Sequence, residues 1–214
     1  MYLFHISPEN PCIIMQGFSC LCYTRYMIWT EKEIRCALFK DKDIRKILQI
    51  LVELQLKDSW ICAGTVRNFI WNLLSNQEGF DKETDIDIIF FDKAVSYEET
   101  CQIELELKKK YSQYKWEVKN QVYMHVHNPN TLPYTSSQDA MSKYPETCTA
   151  VGIRLSNDGE LELFCPYGLE SITSFAVRPT PHFQVDEKRM VTYRQRLAKK
   201  DWFRKWPRLH VYET

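Results

Sequence analysis

The chain has 214 residues, 44% hydrophobic and 14% aromatic, with 28 basic and 28 acidic side chains and a formal net charge of zero. That length suits one domain of ordinary size, or one domain with a short appendage, and the aromatic content excludes a disordered chain. Balanced charge gives no global case for a nucleic-acid or membrane-surface partner, so any phosphate recognition must be local.

Eight cysteines stand at positions 12, 20, 22, 36, 62, 101, 148 and 165, none in a C-x-x-C pair and most inside apolar runs. They read as reduced, buried thiols of a cytoplasmic protein rather than a disulfide scaffold, and Cys12, Cys20 and Cys22 match no common zinc spacing. No run approaches the roughly 18 apolar residues of a membrane helix. Segment 12–23 lacks the basic leader of a signal peptide. Residues 1–26 show no clean period, while Met27 stands just ahead of a helical pattern. The expectation is a dispensable extension over 1–26 and one domain over 27–214.

Thr30 with Glu33 forms a capping box that predicts a helix from about 31. Ile44, Ile47, Leu48, Leu51, Leu54 and Leu56 continue the helical spacing through 57, where Asp58 and Ser59 end the element. Trp60-Ile61-Cys62 is a short apolar run turning at Ala63-Gly64, and Val66, Phe69, Ile70, Leu73 and Leu74 predict a helix over 65–75. A polar loop, 76–84, leads into a strand over 85–91 rich in β-branched and aromatic residues. A charged helix follows over 96–114, then an extended stretch over 115–127, a Pro-rich loop and a short helix over 138–143. Strands over 148–155 and 161–164 flank Asn157-Asp158-Gly159, a hairpin signal. Pro166 opens a helix to 171, and the basic tail 186–200 is helical ahead of Trp202, Trp206 and Pro207. Helices and strands alternate throughout, as in an α/β or α+β domain with a central mixed sheet.

Asp85 and Asp87, two apart on a strand, project to one face, while Ile86, Ile88 and Phe90 face the other way. Two such carboxylates repel unless a cation neutralises them, and Mg²⁺ takes carboxylate oxygens together with substrate phosphates. Alone, the pair reads first as a strand entrance with two solvated aspartates. The turn Ala63-Gly64-Thr65-Val66-Arg67 enters a helix and can offer a phosphate its backbone N–H groups, the Thr65 hydroxyl and the Arg67 fork. Read plainly, it is an ordinary helix start. Glu160 and Glu162 share one face of a later strand, and spacing does not choose which of them would complete a three-carboxylate site.

A Gly-Thr helix start, then D-h-D on a strand, then a later acidic residue resembles the polymerase-β-like nucleotidyltransferases. The stretches AGTVRNFIW (63–71), TDIDIIFFD (84–92), WEVKNQVYMHVHN (116–128), PETCTAVGIRL (145–155) and ELFCPYGLESITSFAVRPTP (162–181) resemble the bacterial group known as nucleotidyltransferase family proteins. KKDWFRKWPRL (199–209) continues the likeness, which covers about 30–210. It implies a metal-dependent enzyme that moves an NMP from an NTP to an acceptor and releases pyrophosphate. The family pattern selects Glu162, so that Asp85, Asp87 and Glu162 would hold Mg²⁺ or Mn²⁺, with Gly64, Thr65 and Arg67 cradling the phosphates. The acceptor would be a small molecule, a protein side chain or an RNA end. The rival class is a non-catalytic nucleotide sensor or antitoxin-like regulatory module, which a missing carboxylate would favour; none is missing.

His125 and His127 would share a strand face but have no third ligand at metal spacing, so a structural or cleft-lining role is expected. Arg154 and Arg178, near the Glu162 strand, could hold a triphosphate or be solvated. The tail's basic residues, interleaved with Tyr193, Trp202, Phe203 and Trp206, suit RNA stacking; balanced overall charge favours a solvated helix whose aromatics dock on the core.

Overall fold

Thr30 accepts a hydrogen bond from the Glu33 amide while the Glu33 carboxylate accepts the Thr30 N–H, which starts helix α1 (Glu31–Lys40). The computed structural model describes residues 29–213, so the expectation for 1–26 falls outside it. The single helix expected through 57 is two. Asp41 is extended and its carboxylate caps the amides of Asp43 and Ile44, so α2 (Lys42–Glu53) begins afresh.

Strand β1 (Trp60–Cys62) runs directly into α3 (Ala63–Leu74), which leads through a loop to β2 (Asp85–Phe90). A second capping box, Ser96 with Glu99, starts α4 (Tyr97–Lys110), and β3 (Lys115–Asn120) returns to the sheet. Beyond it the chain is a 3₁₀ helix (Met124–His127) rather than extended. The Asn120 amide ends the strand: its Nδ2 donates to Asp92 O and Val95 O, and its Oδ1 accepts from the Val122 amide. Next come α5 (Ser137–Ser142), β4 (Gly152–Leu155) and β5 (Leu161–Phe164). The strand expected from 148 starts late, because the Thr149 and Ala150 amides turn back onto Glu146 O. The β4–β5 turn forms at Gly159, with φ +78.

No helix starts at Pro166; α6 (Glu170–Thr173) begins after Gly168, a left-handed residue with φ +73. The chain closes with β6 (Ala176–Val177), α7 (Pro181–Gln184), α8 (Glu187–Lys199), α9 (Trp202–Lys205) and β7 (His210–Val211). Strands β6 and β7 pair in parallel as a separate two-stranded sheet.

The main sheet has the order β3-β2-β1-β4-β5, with β2 and β3 parallel and every other pair antiparallel. Alternation divides its residues between two faces. Ile61, Ile86, Ile88, Trp116, Val118 and Ile153 pack with Ile34, Leu48, Phe69, Ile70 and Leu107 from α1 to α4, forming the main core. On the other face, among the described residues, Trp60, Cys62 and Ile89 meet only Met141 among buried apolar side chains. The thinly covered face carries the polar residues. Among the described residues no helix is long and apolar enough to cross a membrane.

Candidate active site

Because β1 ends at Cys62, β2 loses its neighbour at Asp87, and the start of α3 takes its place. The Thr65 hydroxyl accepts from the Asp87 amide (2.8 Å) and donates to Asp85 O (3.0 Å). The Gly64 amide donates to Asp87 Oδ2 at 2.9 Å. A Cβ on Gly64 would lie 3.0 Å from that same oxygen, so a larger residue there would press the Asp87 carboxylate out of its place by a few tenths of an ångström. Gly64 and Thr65 thus fix the D-x-D segment.

Strand β3 pairs with β2 in register, setting Glu117 opposite Asp87 on the thinly covered face. Trp116 and Val118, on either side of Glu117, belong to the main core. Asp85, Asp87 and Glu117 therefore share one face on adjoining strands. The Asp87 carboxyl is pushed up to about 6, first by burial and then by Glu117, with Arg67 and the Gly64 amide opposing the rise. Among the described residues no three His, Cys, Asp or Glu side chains converge at metal-ligand spacing. The donor set still fits a hard cation: it is all carboxylate oxygen, and it is mutually repulsive without one.

Asp87 and Glu117 open onto a cleft of about 240 Å³ that also meets Lys119, His127, Tyr144, Thr149 and Arg196. At its edge the Cys62 thiol lies 3.5 Å from the Tyr144 hydroxyl. Burial, and then the Asp87 charge, push the Cys62 thiol well up, so it stays protonated and makes a poor nucleophile. Arg196 Nε donates to Oε1 of the fully buried Glu146 at 2.7 Å.

Glu162 is not brought to this site. Strand β5 is three places from β2, and Glu162 pairs in register with Arg154 at the far edge. Arg154 Nε donates to Glu162 Oε2 (2.5 Å), its guanidinium lies 4.1 Å from the Trp60 ring centre, and Asp58 stands 3.7 Å away. With neighbouring strands about 4.8 Å apart, that edge is some 14 Å from Asp87. The acidic residue beside D-x-D comes from β3. Glu160 is exposed by the hairpin turn.

Arg67 is placed as a buried brace instead of a surface fork. Its Nη1 donates to Thr149 Oγ1 (2.7 Å), its Nε and Nη2 reach Asn68 Oδ1, and Trp71 and Trp202 lie over it at 4.9 and 4.3 Å. His127 lines the cleft, while His125 meets the edge of Tyr134, so the 3₁₀ helix does not present the two as one ligand pair. Glu117 was missed because its partner strand is thirty residues away in sequence; the alternation Lys115, Glu117, Lys119 against Trp116 and Val118 was the available signal. Arg178 stacks on Tyr212 at 3.4 Å.

A mixed sheet carrying D-x-D on one strand, a third carboxylate beside it and a tight Gly-Thr helix start in front defines a nucleotidyltransferase fold. The chain belongs to the nucleotidyltransferase family, whose model, described as "Nucleotidyltransferase", matches residues 49–211. It is thus an enzyme of NTP-using nucleotidyl transfer. It is 56% identical to a solved structure described as revealing a CCA-adding enzyme head domain, covering 88% of this chain and 99% of that one, with a TM-score of 0.84. A tRNA-processing enzyme complex is 17% identical over 69% of this chain and 40% of that one, TM-score 0.44. The Bacillus stearothermophilus CCA-adding enzyme with CTP is 14% identical over 72% of this chain and 38% of that one, TM-score 0.41. No curated protein matches the chain.

Proposed function

We propose that the protein transfers an NMP from an NTP to an acceptor hydroxyl, and that Asp85, Asp87 and Glu117 hold Mg²⁺ or Mn²⁺. The observation that carries this is the register of β2 with β3, which sets Glu117 beside Asp87 on the one face that Gly64 and Thr65 also border. The acceptor hydroxyl gives up its proton to solvent, its oxygen bonds to the α-phosphorus, the bond from that phosphorus to the bridging oxygen breaks, and pyrophosphate leaves. Bound metal would supply charge neutralisation and a lowered acceptor pKa. The Gly64 amide and Thr65 hydroxyl hold Asp87 in place, so most of the rate gain comes from positioning and charge stabilisation. With its thiol protonated, Cys62 forms no covalent intermediate. The description of the 56% identical structure makes an RNA 3′ end the first acceptor to try.

The test follows pyrophosphate release with Mg²⁺ and each of the four NTPs, over RNA, small-molecule and protein acceptors. Asp87→Asn and Glu117→Gln should each lower the rate by about 100-fold or more. Glu162→Gln, at the far edge of the sheet, should stay within about threefold. Loss of activity in Glu162→Gln with Glu117→Gln intact would sink the metal-site assignment. Metal-dependent NTP binding with no acceptor consumed would instead favour the sensor reading.

A further inference from the structure

Resting on the nucleotidyl-transfer reading above, we infer that Arg196, presented to the cleft by α8 and braced by the buried Glu146, binds the β- and γ-phosphates of the incoming NTP. A triphosphate entering beside Asp87 and Glu117 meets negative charge, and the cleft must offset it with fixed cations. Arg67 is unsuited: it is 3% exposed, its nitrogens are engaged by Thr149 and Asn68, and Trp71 and Trp202 lie over it. Lys119 lies 3.6 Å from Glu104 as an ion pair.

Arg196, also ion-paired, differs from Arg67 in its exposure and in the donors it keeps. It lines the same cleft as Asp87 and Glu117, and its side chain is 37% exposed. Its Nε is spent on Glu146, and among the described residues neither terminal nitrogen has a protein partner. A guanidinium anchored by one edge keeps its other donors for a phosphate, in the planar geometry that bidentate recognition uses. Glu146 is the anchor. It is wholly buried, its Oε1 takes Arg196, and its Oε2 has no partner. The Thr147 amide donates to Arg178 O and the Thr180 amide to Pro145 O, tying the backbone on both sides of Glu146.

One buried carboxylate does not exhaust the positive charge gathered there. Lys200, at the end of α8, is held down in pKa first by burial and then by Arg196 and Arg67. Arg196 and Arg67 thus act on Lys200 against the opposing pull of Glu146 and Asp87. The basic tail meets the site at this point.

The experiment measures the dissociation constants of each NTP, the matching NMP and a single-stranded RNA oligonucleotide by calorimetry in Mg²⁺, on the full chain. The double variant E146Q/R196Q keeps a neutral hydrogen-bonding pair in the buried position. It should lose NTP affinity about 10- to 100-fold, with NMP and RNA affinity within about threefold of the parent. Arg196→Lys, which keeps the ion pair with Glu146, reads the same contrast as a loss of about 3- to 10-fold should the double variant fail to fold. Equal loss for NTP and NMP, loss confined to RNA, or unchanged NTP affinity in a parent that binds NTPs would overturn the assignment alone. A parent that binds no NTP in Mg²⁺ would overturn both the assignment and the nucleotidyl-transfer reading beneath it.

Discussion

Asp87 holds its proton up to about pH 6 because burial, and then the Glu117 charge, oppose ionisation more than Arg67 and the Gly64 amide favour it. Its folded-state pKa lies above the unfolded value, so the metal-free folded state loses stability as pH rises from about 4 through 6. Removing the charge should recover that loss. Metal-free Asp87→Asn should be about 2 kcal/mol more stable than the parent at pH 7.5 and nearly equal to it at pH 4, read by urea titration. A variant less stable at pH 7.5 would mean that the carboxylate is net favourable in the fold. At this scale the sequence marked Asp85, Asp87, Gly64 and Thr65 as one local group, because it is built from one strand and one helix start, but it assigned Gly64 and Thr65 to phosphates where the Gly64 amide and the Thr65 hydroxyl are engaged by Asp87 and Asp85. It misplaced Arg67, since two of the groups that enclose that side chain, the Trp202 indole and the Thr149 hydroxyl, lie far along the chain. Glu162 follows from the family pattern, whereas strand order and register set Glu117, and not Glu162, beside Asp87.

The C-terminal elements are fastened to α3 by aromatic contacts. Trp71 has Trp206 and Trp202 at 5.0 and 5.7 Å and Phe175 stacked at 6.2 Å. Trp206 Nε1 donates to Asn72 Oδ1 at 3.0 Å, and Asn72 Nδ2 donates to Gly79 O. Trp206→Ala removes a large buried side chain and leaves Asn72 short of a donor, so a cost of about 3–5 kcal/mol is expected in chemical denaturation. A loss under 1 kcal/mol would show that α9 is only laid against the core. Element existence was legible wherever a cap or a period marked it, as at the Thr30 capping box and the apolar spacing from Val66 to Leu74. Breaks made by one side chain were not: Asp41 divides the first helix, and Asn120 ends β3 by turning its amide onto Asp92 and Val95.

At the scale of the whole molecule, the two faces of the sheet have separate duties. The main core is shared by α1 to α4, the sheet, and the tail through Trp202, Trp206 and Leu209. Among the described residues the C-terminal cluster apart from that core is small, Phe183, Met190 and Tyr193. Unfolding should therefore be one transition, with tryptophan fluorescence and far-UV circular dichroism coincident in urea. An early, separate loss of α8 to β7 would contradict that. The α/β class was readable from alternating patterns, while the order β3-β2-β1-β4-β5 was not, since pairing partners leave no local mark in the chain.

The parallel register of β2 with β3 has one further consequence. Shifting β3 by a single residue would turn Glu117 into the main core and lift Trp116 and Val118 out of it. The mistake that dismantles the site thus also strips the core of two large apolar side chains. A chain that settles into its most stable packing has already checked the alignment of its carboxylates, and misassembled copies are removed by instability before they can act as faulty catalysts.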